Sequence, residues 1–273
     1  MKMVSAAKLK RAQDRVVAAR PFANKMMEVL SELATQATDN FNHPLLDARG
    51  DQKYLVVLIT ADKGLCGGFN ANLIKAAQAF MRENGDKQIE MTPVGRKGRD
   101  FFGRRGIPFT EEFVGLTGKG RVEYSEAMEV AHTVIKRFSE DETIDKVFLV
   151  YSEFKSVLSQ RAVVDQILPV ARTTEEVGDE ASTGPAVTSV DYIYEQPPEQ
   201  IFGSLLPRLV ETQIFRAMLE SVASEQGSRM TAMDSATKNA GELISTLTLN
   251  MNRIRQAAIT KEIIEVVSGA AAL

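Results

Sequence analysis

The C-terminal end of the chain carries its most restrictive feature, a segment of 66 residues without proline (208–273). Glycine occurs in it only at 227, 241 and 269, and good helix formers fill most of the other positions. A helix of about 60 residues is about 90 Å long, whereas helices of globular proteins average about 10–14 residues. We therefore predict a helix that projects beyond any compact domain and needs a partner along its length.

A seven-residue repeat in this segment indicates what kind of partner the helix needs. Its two seam positions mix large apolar residues, alanines and polar residues, which is typical of a diluted coiled coil. The simplest partner is the alanine-rich N-terminal segment 1–40, lying antiparallel; its first 30 residues carry a net charge of 7 − 2 = +5. The first seam position holds Leu219, Gln226, Met233, Ala240, Leu247 and Ile254, and the second holds Val222, Arg229, Ala236, Leu243, Asn250 and Ala257.

The segment between the two ends alternates strand and helix signals. A continuous apolar run at 54–60 is typical of a strand buried on both faces of a parallel sheet, and regular apolar spacing at 121–139 predicts an amphipathic helix. This order implies a small α/β domain. We predict further strands at 88–94, 107–114, 146–151 and, at an edge, 157–168, helices at 69–83 and 96–105, and a mobile loop at 172–186. The predicted division is an N-terminal coiled-coil helix (1–48), a central α/β domain (49–196) and a C-terminal coiled-coil helix (197–273).

Composition excludes several classes of protein. Lysine and arginine number 33 against 36 aspartates and glutamates, and this net charge of −3 argues against nucleic-acid binding by bulk charge. The single cysteine, Cys66, excludes a disulfide framework and any pair of metal-binding or redox cysteines. No stretch reaches about 18 uninterrupted apolar residues, and no signal peptide is recognisable. We expect an intracellular chain whose contact with a membrane goes through a partner.

Four motifs resemble, in the same order along the chain, those of the gamma subunit of bacterial F-type (F1Fo) ATP synthases. The resemblance covers the whole chain and implies an α/β fold, namely a long antiparallel coiled coil of the N- and C-terminal helices with a central Rossmann-like α/β domain. The motifs are MKMVSAAK (1–8), DKGLCGGFN (62–70), SEQGSRMTAM (224–233) and RQAAITKE (255–262), the last followed by SGAAAL (268–273).

The resemblance also implies a function. It is that of the central rotor shaft of the F1 sector, which couples proton flow through the c-ring to ATP synthesis or hydrolysis in a hexamer of alpha and beta subunits. The implied partners are three alpha and three beta subunits, the epsilon subunit and the c-ring, at the cytoplasmic face of the bacterial inner membrane. The catalytic sites lie on the other subunits, so no catalytic residue, metal or cofactor is expected here.

The family's functional contacts map onto matching positions of this chain. The contact with the c-ring and the epsilon subunit corresponds to the segment that holds Tyr192 and Glu195. The coupling contacts with alpha and beta subunits correspond to Met1, Arg229, Arg255, Gln256, Thr260 and Glu262. In the family the N-terminal helix begins roughly two dozen residues before the position matching Met1, or about six to seven turns. We expect either a mis-assigned start or a true truncation.

From the residues alone, other interpretations stay open. Gly64–Gly68 suits either a tight turn into the next helix or a phosphate-binding loop, although it matches neither standard glycine-rich phosphate motif. Cys66 is either packed in the domain or a nucleophile, and Arg229 is either a solvated stalk residue or a subunit contact. The alternative function is a coiled-coil scaffold or nucleotide switch, which would form a stable self-dimer. An independent enzyme would need a catalytic constellation, and none is recognisable in the sequence.

Overall fold

The computed structural model describes residues 1–36, 43–109, 111–118, 120–157, 159–170 and 197–271. The predicted loop at 172–186 and the predicted contact at Tyr192 and Glu195 lie outside these residues. The elements are, in chain order, α1 (Lys2–Gln36), β1 (Lys53–Ile59), α2 (Phe69–Glu83), β2 (Gln88–Val94), α3 (Arg96–Gly103), α4 (Tyr124–Glu140), β3 (Lys146–Phe154), β4 (Gln160–Leu168) and α5 (Pro198–Ala271).

The two terminal helices, α1 and α5, pack against each other in antiparallel orientation. Lys2 forms an ion pair with Asp234, the Arg20 guanidinium lies 3.7 Å from the Glu220 carboxylate, and the Gln213 amide lies 3.9 Å from the Met27 sulfur. As residue numbers rise along α1, the residues that they contact in α5 have progressively lower numbers. The predicted antiparallel pair of terminal helices is confirmed.

Helix α5 is longer than the proline-free segment on which its prediction rested. It has 74 residues and begins at Pro198, since a proline in the first turn loses no hydrogen bond and has a backbone angle already suited to a helix. Pro207 then lies inside the helix, near its N-terminal end. The helix therefore includes ten residues before position 208.

A four-stranded sheet in the order β2-β1-β3-β4 forms the centre of the α/β domain. Strand β1 is parallel to both β2 and β3, and β4 lies antiparallel at one edge. Side chains of β1 alternate between the two faces of the sheet. Leu55 and Val57 join the core shared with α1, α4 and α5, while Val56 and Leu58 join the core under α2 and α3. The predicted α/β class is confirmed, as are the strands near 54–60, 88–94 and 146–151 and the edge strand.

The predicted strand at 107–114 is wrong. Among its described residues, which leave out position 110, this segment pairs with the edge strand β2 at two single bridges, Met91 with Phe109 and Val94 with Phe113. Pro108 has no N–H to donate to a ladder; its carbonyl accepts one bond from the Met91 amide (3.2 Å). The apolar residues that suggested a strand dock against the edge without forming a regular ladder.

The last half of α5 leaves the domain entirely. Its side chains are mostly buried from Phe202 to Gln226, but every described residue from 234 to 270 is exposed. Beyond the Lys2–Asp234 ion pair the helix continues for the 37 residues 235–271, which is about 56 Å at 1.5 Å per residue. We call residues 235–271 the exposed helix.

Candidate functional site

The point where α5 leaves the domain is held by a turn that follows strand β1. We call this junction, formed by the turn 62–68 and the α5 segment 225–232, the neck. The turn passes Leu65 at φ 61° and Gly67 at φ 55°, and a side chain on Gly67 would meet Ala232 at 3.5 Å. That distance is an ordinary van der Waals contact, so it is the positive φ at Gly67, and not lack of space, that favours glycine in this turn.

Asp62 fixes the turn to its surroundings. Its carboxylate accepts hydrogen bonds from the backbone N–H groups of Arg96 (3.0 Å), Gly115 (3.0 Å) and Gly118 (2.7 Å) and from the Thr117 hydroxyl (3.0 Å). Burial alone would raise the pKa of this carboxyl group, but the four hydrogen bonds outweigh burial and hold the pKa below its ordinary value. The glycine-rich segments at 64–68 and 115–118 thus belong to a hydrogen-bonded scaffold, and the turn leads directly into α2.

Arg229 links α5 to this turn. Its guanidinium lies 2.6 Å from the Glu225 carboxylate, one helical turn earlier, and donates a hydrogen bond to the Gly64 carbonyl at 3.1 Å. The Glu225 side chain is 3% exposed and that of Arg229 14%. Burial raises the pKa of Glu225, and the adjacent Arg229 charge lowers it in part. The predicted contact residue Arg229 therefore has an internal partner that the sequence reasoning missed, although a glutamate four residues before an arginine is itself a signal for such a pair.

Cys66 lies in the turn with its thiol buried. Burial raises the pKa of that thiol, and the Asn70 side-chain amide lies 3.1 Å from the sulfur. A thiol is a poor nucleophile until it ionises. This environment favours the packed interpretation of Cys66.

The structure divides the other predicted coupling residues between two levels of the stalk. Met1 directly precedes α1, next to the Lys2 that pairs with Asp234, and is 76% exposed. The remaining four lie 21 to 28 residues beyond Asp234, about 31–42 Å further along the helix, and all are exposed. Arg255 and Glu262 are one heptad apart and share one face of the helix. Gln256 and Thr260 are spaced i, i+4 and share another face.

Large apolar side chains stand in solvent along the exposed helix. From Ala240 to Ala258 most of them recur at spacings of three and four, which places them on one stripe; Leu249, 70% exposed, lies on the opposite face. Near the C-terminal end they occupy several faces of the helix. The exposed members of the stripe are Leu243, Ile244, Leu247, Met251 and Ile254, and those near the end are Ile259, Ile263, Ile264, Val266 and Val267. A surface of this kind marks a site for another protein.

Two absences hold for the ranges that the structure describes. In those ranges no helix is both long enough and apolar enough to cross a bilayer. They also contain no group of three or more histidine, cysteine, aspartate or glutamate side chains placed to hold a metal ion. The features that stand out are thus the neck and the exposed helix.

Comparison with known proteins gives these features a family. The family model described as ATP synthase matches residues 1–273. The ATP synthase gamma chain of Desulforamulus reducens is 52% identical over 273 residues, covering 100% of this chain and 92% of the relative. The chain belongs to the ATP synthase gamma chain family. The gamma chain of Solibacter usitatus is 50% identical over 275 residues, covering 100% of this chain and 91% of the relative.

Solved structures agree with the gamma chain fold. The match is to a chain in the central stalk and c-ring structure of Tetrahymena thermophila mitochondrial ATP synthase, with a TM-score of 0.64 and 24% identity. It covers 87% of this chain and 97% of that one. The two chains therefore share a fold over most of their length, which agrees with the predicted fold class.

Proposed function

We propose that this chain is the central rotor shaft of a bacterial F1Fo ATP synthase, the gamma subunit around which three alpha and three beta subunits assemble. In this function the chain couples proton flow through the c-ring to ATP synthesis or hydrolysis by rotating. Family membership supports the proposal. So do the structures in which distant relatives belong to a central stalk or rotor.

The observation that carries the proposal is the exposed helix. About 56 Å of helix presents Leu243, Leu247, Ile254 and their apolar neighbours to solvent, which is unfavourable for a chain that acts alone. A shaft surrounded by the alpha and beta subunits would cover this surface. Small and medium apolar groups on several faces of the end, Ile263 to Val267, make few directional bonds. Such an end can turn inside an apolar sleeve with few hydrogen bonds to break at each step.

The neck supplies the mechanical connection that a shaft requires. Torque that enters at the base must pass into the exposed helix without the helix turning on its own. Arg229 bonds both the Glu225 carboxylate and the Gly64 carbonyl, so the root of the exposed helix is tied to a turn that Asp62 fixes to the start of α3 and to the loop 115–118. We propose that this arrangement makes the helix and the α/β domain rotate together.

The polar groups of the shaft complete the proposal. Arg229, Arg255, Gln256, Thr260 and Glu262 would make switchable, charge-assisted contacts with loops of the alpha and beta subunits, and Met1 would lie near one of them. Tyr192 and Glu195 would contact the c-ring and the epsilon subunit. We propose that this chain binds no cofactor, contributes no catalytic residue, and associates with the cytoplasmic face of the inner membrane only through the complex.

The proposal is tested by mixing the full chain with the alpha and beta subunits of its own complex and measuring the native mass of what forms. We expect one copy of this chain for three alpha and three beta subunits. A matched pair of variants locates the contact. Leu247→Asp on the exposed stripe should prevent assembly, while Ser245→Asp, which lies about 160° round the same helix from Leu247 and is exposed, should not. A stable homodimer that ignores alpha and beta subunits would instead support the scaffold interpretation.

A further inference from the structure

A groove separate from the neck and from the exposed helix lies at the base of the stalk, between α1, α4 and α5. It has a volume of about 680 Å³, within the range of about 300–1,000 Å³ that is usual for small-molecule sites. Most of its wall is apolar, and the side chains that carry the argument are Phe22, Met26, Tyr124, Met128, Phe215 and Arg208. We call it the base groove.

Aromatic side chains are exposed at the edges of the base groove. Phe22 of α1 is 61% exposed and Tyr124 of α4 is 42% exposed. The Tyr124 ring meets the Phe215 ring edge-on, with centroids 5.3 Å apart. The groove therefore has a rigid aromatic wall, together with the more adaptable Met26 and Met128.

The acidic group in the groove is already used by protein partners. One Glu211 oxygen accepts a hydrogen bond from the Tyr124 hydroxyl at 2.8 Å, and the other lies 3.1 Å from His132 Nε2. Arg216 is likewise bonded to Glu220 at 3.1 Å. The polar atoms of Glu211 and Arg216 are therefore hydrogen-bonded within the fold.

Arg208 is the exception. It lines the groove and is exposed, and its guanidinium has no ion pair or side-chain hydrogen bond with any of the residues that the structure describes. Burial and Glu211 raise the pKa of the Tyr124 hydroxyl to about 12. The Arg208 charge lowers that pKa by a smaller amount, so Arg208 lies close enough to act on the hydroxyl. A free guanidinium beside an apolar groove is complementary to a carboxylate that carries an apolar tail.

We propose that the base groove binds a medium-chain aliphatic carboxylate, with the carboxylate on Arg208 and the alkyl chain against Phe22, Met128 and Phe215. The planar guanidinium can donate two parallel hydrogen bonds to a carboxylate. The alkyl chain would cover aromatic surface that is otherwise wet, which is favourable for each CH₂ buried. This inference does not depend on the function of the exposed helix, because the two surfaces are at opposite ends of the paired helices.

Calorimetric titration of the full chain with decanoate tests the proposal. We expect saturable binding of one decanoate per chain, and an increase in Kd of at least about tenfold for Arg208→Gln, since hydrogen bonds to charged groups contribute about 1.5–3 kcal/mol. Arg161→Gln is the matched control, because Arg161 is exposed on β4, outside the groove. Its Kd should equal that of the parent chain. An equal loss of decanoate affinity in both variants, or no loss in either variant, would overturn the proposal.

Two further arms separate the carboxylate from other ligands. Decanol has the same tail without the charge, so it should bind much more weakly than decanoate; equal binding would show an unspecific apolar groove and overturn the assignment to a carboxylate.

Phe22→Ala should weaken decanoate binding without unfolding the chain, because Phe22 is largely exposed. Vesicles containing phosphatidylglycerol should not retain the chain in a flotation assay. Retention that is lost in Arg208→Gln, without binding of free decanoate, would assign the groove to a lipid surface instead.

Discussion

Two charged groups in the neck, Glu225 and Arg229, show how far single residues can be interpreted from the sequence. The motif around Arg229 marked it as a contact with other subunits, and its position at the root of the exposed helix agrees with such a function. The sequence did not indicate that the Gly64 carbonyl would be its neighbour, because that contact joins residues 165 positions apart. Only the packing of the turn on α5 creates it, whereas the Glu225–Arg229 pair follows from helical spacing.

Removing Arg229 should expose the dependence of Glu225 on its partner. We expect Arg229→Gln to lower the free energy of unfolding by about 3 kcal/mol, because breaking a buried ion pair leaves an uncompensated charge. The double variant Arg229→Gln with Glu225→Gln should recover most of the loss. Urea unfolding of the three chains measures both effects, and equal stability of the single and double variants would contradict this account of the neck.

The carboxylate of Asp62 should make stability depend on pH. Its pKa is below the ordinary value in the folded chain, so its contribution is present above the pKa of the unfolded state, about 3.9, and is lost as the pH falls through the folded-state pKa. We expect Asp62→Asn to be less stable than the parent chain at pH 7 and the difference to shrink below about pH 4. Thermal unfolding between pH 3 and 7 checks this, with Asp14→Asn, exposed on α1, as the control. A difference that does not change with pH would exclude the proposed effect of the charge.

At the scale of elements, the sequence was most informative where a pattern was long or sharply bounded. The helix predicted at 69–83 matches α2, because the glycine-rich turn before it and Asn84–Gly85 after it mark both ends. The buried strands were evident from uninterrupted apolar runs. The strand predicted at 107–114 failed because alternation of apolar residues also suits a segment that docks on an edge, and only hydrogen bonding distinguishes the two.

Two glycines in different elements should respond oppositely to alanine. A side chain on Gly95, at φ +109°, would lie 2.1 Å from the Thr60 carbonyl oxygen, so Gly95→Ala should destabilise the chain by at least about 3 kcal/mol. Gly241 lies inside the exposed helix with no atom within 4 Å of an added side chain. Gly241→Ala should therefore increase helix stability by about 1 kcal/mol. Circular dichroism during thermal unfolding tests both changes, and a tolerated Gly95→Ala would contradict the close approach of Gly95 to the Thr60 carbonyl.

The whole molecule joins an α/β domain to the long helix α5. The coiled-coil repeat predicted a partner along the full length of α5, and among the described residues α1 lies beside it up to Asp234. Sequence periodicity identifies which face needs to be covered, but it does not distinguish a helix of the same chain from a surrounding assembly. Family membership favours the assembly, as do the apolar side chains on several faces near the end of α5, which one partner helix would not cover.

The central claim is that the base and the exposed helix rotate together inside a hexamer of alpha and beta subunits. The most direct measurement is single-molecule rotation of that hexamer fixed to a surface, with a visible marker attached to the α/β domain of this chain. The account predicts steady rotation of the marker in one direction when ATP is supplied, and none without ATP. Hydrolysis of ATP by the assembled complex while the marker stays still would contradict it.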